Sequence, residues 1–174
     1  MEPMSQMISP ELLAVYRASL YHIEMPTGII TLRVDELTPE SLFETVATGE
    51  RLVFVSACNP RSKTLTEVEN LARHELLKLS VQKAGYMVYQ GVGCDPSGQW
   101  PSEISLAVFD ATDDDIDGWM LRFEQNAVVI AERGSIVKLR LHPGARMAFL
   151  GDARPRLRSW RRSGQILAGT IYLF

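Results

Sequence analysis

The sequence predicts an α/β (α+β) fold, a single layered domain with a mixed central sheet flanked by about four helices. Helix start signals alternate with short β-branched runs. One of those runs is apolar on both faces, and no internal repeat or long linker divides the 174 residues. With 46% hydrophobic and 22% charged residues the composition excludes disordered and fibrous classes. A chain of this size buries roughly two thirds of its unfolded surface, so it needs no metal or disulfide staple.

Each element has its own signal. Ser9-Pro10-Glu11 combines a capping hydroxyl with proline at the first helical position, which predicts a helix to about residue 21. Residues 28–34, GIITLRV, read as a strand. Thr38-Pro39-Glu40 repeats the cap signal and predicts a short helix to about residue 48. RLVFVSAC at 51–58 is nearly continuous in apolar residues and predicts a strand near the middle of the sheet, covered on both sides. Thr66 caps the next helix, in which Val68, Leu71, Ala72, Leu76 and Leu79 recur at helical spacing up to Gly85; these are the expected core positions. Strands at 86–93 and 103–110 flank the turn CDPSGQWPS as a hairpin, with Trp100 expected to be largely buried within that turn. Thr112 and three following aspartates open a helix ending near Asn126, and residues 127–141 form a second hairpin around Arg133-Gly134-Ser135. A last strand is expected at 166–174.

The domain organisation is a core over residues 1–141 and a basic extension over 142–174 packed on it. Residues 140–174 hold seven arginines against one aspartate, a local +6, so the net charge of −3 leaves −9 on the rest of the chain. The extension therefore has acidic partners within its own domain. Cys58 and Cys94 are too far apart in sequence for a short metal-binding pair and too few for a disulfide framework, so both are expected as thiols. The N-terminus lacks the positive flank and apolar stretch of a signal peptide, and no apolar run reaches membrane-spanning length. The expected localisation is cytoplasmic, with no membrane contact.

Three blocks stand out together: NPRSKTLTEVENLARHELL, GVGCDPSGQWPSEISLAVF and FEQNAVV. In them the chain resembles a bacterial family called domain of unknown function 3293. Its pattern is an Asn-Pro-x-Ser loop before an Asn-containing helix, a Gly-x-Gly-x-Asp-Pro turn with Trp-Pro-x-Glu-x-Ser, and a late Gln-Asn. The resemblance runs over roughly residues 15–141, implies an α/β fold and carries no activity, substrate or catalytic residue with it.

The residues themselves suggest a ligand site where the apolar strand runs into the 59–73 loop and helix, since open α/β sheets bind ligands at the carboxyl ends of strands. Arg61 and Arg73 offer forks for phosphate or carboxylate, and Asn59, Ser62 and Asn70 offer donors and acceptors for a base, sugar or carbonyl. Gln125 and Asn126 join this ligand-binding set. Glu103 is the candidate catalytic carboxylate, because burial beside Trp100 would raise its pKa and suit proton transfer. Each has a bland alternative: Asn59 satisfying its turn, Arg73 pairing with Glu69, Glu103 locking the hairpin, Gln125 and Asn126 ending a helix. GVGCDPSG lacks the spacing of a dinucleotide or P-loop motif, and His22, His74 and His142 are dispersed, so no cofactor and no metal is assigned.

Two function classes follow. The first is binding of a small phosphorylated or nucleotide-like ligand at the 59–73 loop and helix, with enzymatic activity left open. The second is a non-enzymatic interaction or regulatory module in which Arg154, Arg156, Arg158, Trp160, Arg161 and Arg162 contact an acidic protein or nucleic acid. Nucleic acid is the less favoured partner because the rest of the chain repels polyanions. A homo-oligomer is compatible with either class.

Overall fold

A computed structural model describes residues 8–44, 46 and 49–145. Ser9 caps the first helix by accepting a hydrogen bond from the Leu12 amide at 3.1 Å, and α1 runs over Pro10–Ala18. It stops short of residue 21. Tyr21, Ile23 and Met25 are buried in alternation with the less buried His22 and Glu24, so period two wins and β1 forms over Leu20–Met25. β2, Gly28–Leu32, folds back on it with Gly28 at φ 126°, a backbone conformation that favours glycine. The second helix is one turn only, α2 over Ser41–Glu44. Thr38 does not cap it: the hydroxyl is buried without a hydrogen-bond partner among the described residues, and its amide bonds to the Ser135 carbonyl.

The other elements follow their signals, except that the helix opened by Thr112 stops at Arg122 rather than near Asn126, which leaves Gln125 and Asn126 in the loop that follows. These elements are β3 Arg51–Ser56, a 3₁₀ turn at Pro60–Ser62, α3 Glu67–Ala84, β4 Val88–Cys94, β5 Glu103–Phe109, α4 Asp113–Arg122, β6 Ala127–Glu132 and β7 Lys138–Leu141. Thr66 and Glu69 close a reciprocal capping box at the start of α3, and Gly85 ends it in the left-handed region at φ 81°.

The sheet corrects the expectation of mixed pairing. Its seven strands run in the order β2-β1-β4-β5-β3-β6-β7, and every pairing is antiparallel. The helical crossovers α3 and α4 do join strands of like direction, β3 to β4 and β5 to β6. In each case a third strand lies between the two, β5 in the first and β3 in the second, so hydrogen-bonded neighbours always oppose. The fold is thus α+β.

β3 is buried on both faces, as its continuous apolar run requires. Leu52 and Phe54 join Leu32, Leu42, Phe43 and Phe109 on one face, while Val53 and Val55 join Leu77, Val81, Ile116, Trp119 and Met120 under α3 and α4 on the other. α3 presents a different side to the sheet from the one its apolar spacing suggests. His74, Leu77 and Val81 are buried, whereas Val68 is 76% exposed and Leu71, Leu76 and Leu79 also face outward. No described helix is long and apolar enough to cross a membrane.

Candidate functional site

At one end of the sheet β3 and β4 finish, β5 and β6 begin, and α1 lies against the opening. Because neighbouring strands oppose, this end gathers carboxyl and amino termini of strands alike. It encloses a cavity of about 110 Å³. Phe54, Tyr21, Val129 and Leu139 supply its apolar wall, and Leu12, Val15 and Tyr16 of α1 reach it from the side. The Phe54 ring has room because β4 carries Gly91 beside it; a Cβ there would stand 2.5 Å from the ring.

Glu103, at the first position of β5, lines the cavity. Asn59 Nδ2 donates to its Oε1 at 2.7 Å, and Ser56, whose hydroxyl donates to the Ile104 carbonyl, lines the cavity beside it. Burial nonetheless dominates and pushes the Glu103 carboxyl above the usual carboxylate range. Opposite stands a triangle of neutral groups. Tyr16 Oη and Ser62 Oγ lie 2.9 Å apart, and Asn126 Nδ2 donates to both, at 3.2 and 3.1 Å. Only one hydroxyl proton is used between the two oxygens, so the triangle holds a second to offer to a molecule in the cavity. Burial raises the Tyr16 pKa, which keeps the phenol protonated.

The loop that carries Asn59 and Ser62 is conformationally unusual. Asn59, Arg61 and Ser62 all have positive φ, at 45°, 52° and 59°. Such backbone persists only where surrounding contacts over-determine it, and it concentrates at functional sites. The contacts are present. Asn59 Oδ1 accepts from the Leu65 amide and from Asn70 Nδ2, while Asn70 Oδ1 accepts from the Asn59 amide. The Arg61 amide bonds to the Glu124 carbonyl, and Gln125 Nε2 donates to the carbonyls of Cys58 and Phe123.

The structure therefore sorts the expected site residues. Asn59, Ser62, Glu103, Gln125 and Asn126 line one cavity; Arg61, Asn70 and Arg73 do not. Arg61 pairs with Glu124 at 3.0 Å on the surface. Asn70 is engaged with Asn59 and borders a second hollow beside Leu65 and Ser102. Arg73 donates to the carbonyls of Ala57 and Phe123, both at 2.6 Å, and not to Glu69 as one alternative held. Its guanidinium is therefore committed to backbone. Trp100 is 39% exposed rather than core, and it borders the cavity mouth. The turn it was expected to fix is held by Asp95, whose carboxylate accepts from Ser97, Gln99 and Trp100, bonds that also keep its pKa low.

Sequence reasoning missed Tyr16 and Ser56. Tyr16 had a signal, since Leu12, Val15 and Tyr16 share one face of α1; Ser56 is the one polar residue that interrupts the apolar stretch 52–58. Cys58 is buried, accordingly raised in pKa, and outside the cavity; Cys94 borders it. Among the described residues no cluster of histidine, cysteine and carboxylate side chains could hold a metal. Arg154, Arg156, Arg158, Trp160, Arg161 and Arg162, and the strand expected at 166–174, lie outside the described residues.

Residues 55–128 match the family model described as Protein of unknown function (DUF3293), the family that the three sequence blocks resemble. The matched segment contains Ser56, Asn59, Ser62, Glu103, Gln125 and Asn126 but not Tyr16. No curated protein and no solved structure matches the chain.

Proposed function

We propose that the chain binds a small polar molecule in the cavity at the sheet end and that Glu103 exchanges a proton with it. One observation carries this reading: a carboxyl raised by burial is held in a cavity by neutral donors, and no described arginine or lysine lines that cavity. A carboxyl paired to a cation would be locked as an anion, whereas burial away from any described cation shifts Glu103 toward its protonated form. Ser62 and Tyr16 supply hydroxyl contacts and Asn126 fixes them, while Phe54 and Val129 suit an apolar edge of the ligand.

The phosphate in the ligand expected from sequence meets no cation among the described residues that line the cavity, because Arg61 and Arg73 are engaged elsewhere. The ligand class is accordingly an uncharged compound bearing hydroxyl or amide groups, such as a nucleoside without its phosphate. The test is a thermal-shift screen of nucleosides, polyols and small amides beside their phosphorylated counterparts. At least one neutral compound should raise the melting temperature of the native chain and leave Ser62→Ala unshifted. Stabilisation by phosphorylated compounds alone, or by ligands indifferent to Ser62→Ala and Glu103→Gln, would remove the proposal.

A further inference from the structure

α3 is an 18-residue helix, about 27 Å long at 1.5 Å per residue, with only its inner side used by the fold. On the outer side Val68, Ala72, Leu76 and Leu79 follow one another at intervals of three and four, and all are exposed. No described element covers them. An apolar stripe of this length rimmed by charges is characteristic of a helix that meets another helix.

The charges along the stripe are arranged by end. Glu67, Glu69 and Glu75 lie in its first half, Lys78 and Lys83 in its second. A parallel partner helix of the same sequence would set like charges side by side. An antiparallel one sets the acidic start of each helix beside the basic end of the other, and places the bulk of Leu79 over the gap at Ala72. The surface is thus self-complementary under a two-fold axis, the arrangement of the commonest homo-oligomer.

We infer that a second copy of this chain docks on the outer face of α3, forming an antiparallel helix pair. One helix pair makes a small interface, so the dimer should be concentration-dependent. The test is sedimentation of the full chain over a wide concentration range. The native protein should approach twice its 19.5 kDa mass as concentration rises. Leu79→Glu should remain monomeric with an unchanged circular dichroism spectrum, since residue 79 is 60% exposed and outside the core. Glu67→Lys and Lys83→Glu should each weaken association at least tenfold, because each sets like charges together. An equimolar mixture of those two variants should associate again, since every cross-pair is then of opposite sign.

A chain that stays monomeric overturns the inference. In that event slow maleimide labelling of Val68→Cys would assign the face to a segment of its own chain, and fast labelling would leave it bare. Association indifferent to Leu79→Glu places the contact on another face and overturns it equally. Weakening of each single variant followed by recovery in the mixture is the pattern of the antiparallel pair, because a parallel pair already sets residue 67 beside residue 67 and residue 83 beside residue 83 and gains no new repulsion from either change.

Discussion

Glu103 is the residue at which a structural role and a chemical role make opposite predictions. If the carboxylate only locks the hairpin, Glu103→Gln should weaken the fold at every pH. If burial holds the group ready to titrate, its ionisation costs stability at neutral pH and the amide removes that cost. The folded-state pKa lies above the unfolded value, so the contribution of Glu103 is complete below the unfolded pKa and is lost as pH rises through the folded one. Denaturation in urea between pH 4 and pH 8 should show the native chain losing more stability over that interval than Glu103→Gln. At the upper end the variant should be at least as stable, while it no longer responds to ligand. A variant weaker than the native chain across the whole range would return Glu103 to a structural part. The carboxyl was legible in the sequence because Trp-Pro-x-Glu placed it at the start of a strand beside a turn. The cation-poor surroundings were not, since the partners of Arg61 and Arg73 are backbone carbonyls and a glutamate of a distant loop.

Among the elements, α3 shows how a correct boundary can accompany a wrong face. Thr66 and Gly85 fix the ends through local hydrogen bonding and backbone conformation, both written in neighbouring residues. Which side turns inward is decided by the sheet beneath, where Leu106 and Val108 receive Leu77 and Val81. Two apolar stripes compete on this helix, and the longer faces outward. Leu77→Ala should therefore cost roughly 2–5 kcal/mol, the scale for emptying a packed leucine site. Leu79→Ala, measured in dilute monomeric protein, should stay within about 0.5 kcal/mol. Chemical denaturation of both variants checks the assignment, and a reversal of the two costs would mean that the helix turns its other face to the core. A similar competition hid β1: a helix cap at Ser9 and helix-compatible residues up to Ser19 masked the period-two burial of Tyr21, Ile23 and Met25.

For the molecule as a whole, the cavity exists because two loops from distant parts of the chain are braced together. Residues 57–62 bring Ser62, and residues 123–126 bring Asn126, so the hydroxyl triangle forms only while the loops hold register. Arg73, from α3, ties Ala57 to Phe123 through two hydrogen bonds and lies 5.8 Å from the centre of the Phe123 ring. A lysine cannot reproduce that fork: its ammonium is a point donor and loses the planar stacking. Arg73→Lys should therefore lower stability by about 1–3 kcal/mol, the range for leaving a buried carbonyl unpaired. It should also weaken ligand binding, although residue 73 does not line the cavity. Arg61→Ala provides the contrast, since its side chain is about half exposed and its pairing with Glu124 is a surface ion pair, worth at most about 1 kcal/mol. The loop there is secured instead by the Arg61 amide on the Glu124 carbonyl, a bond alanine retains. Denaturation curves and ligand titrations on the two variants separate the outcomes. If Arg73→Lys proved as mild as Arg61→Ala in both measurements, the loops would hold register without the arginine brace, and the site would rest on Gln125 and the Asn59–Asn70 pair alone.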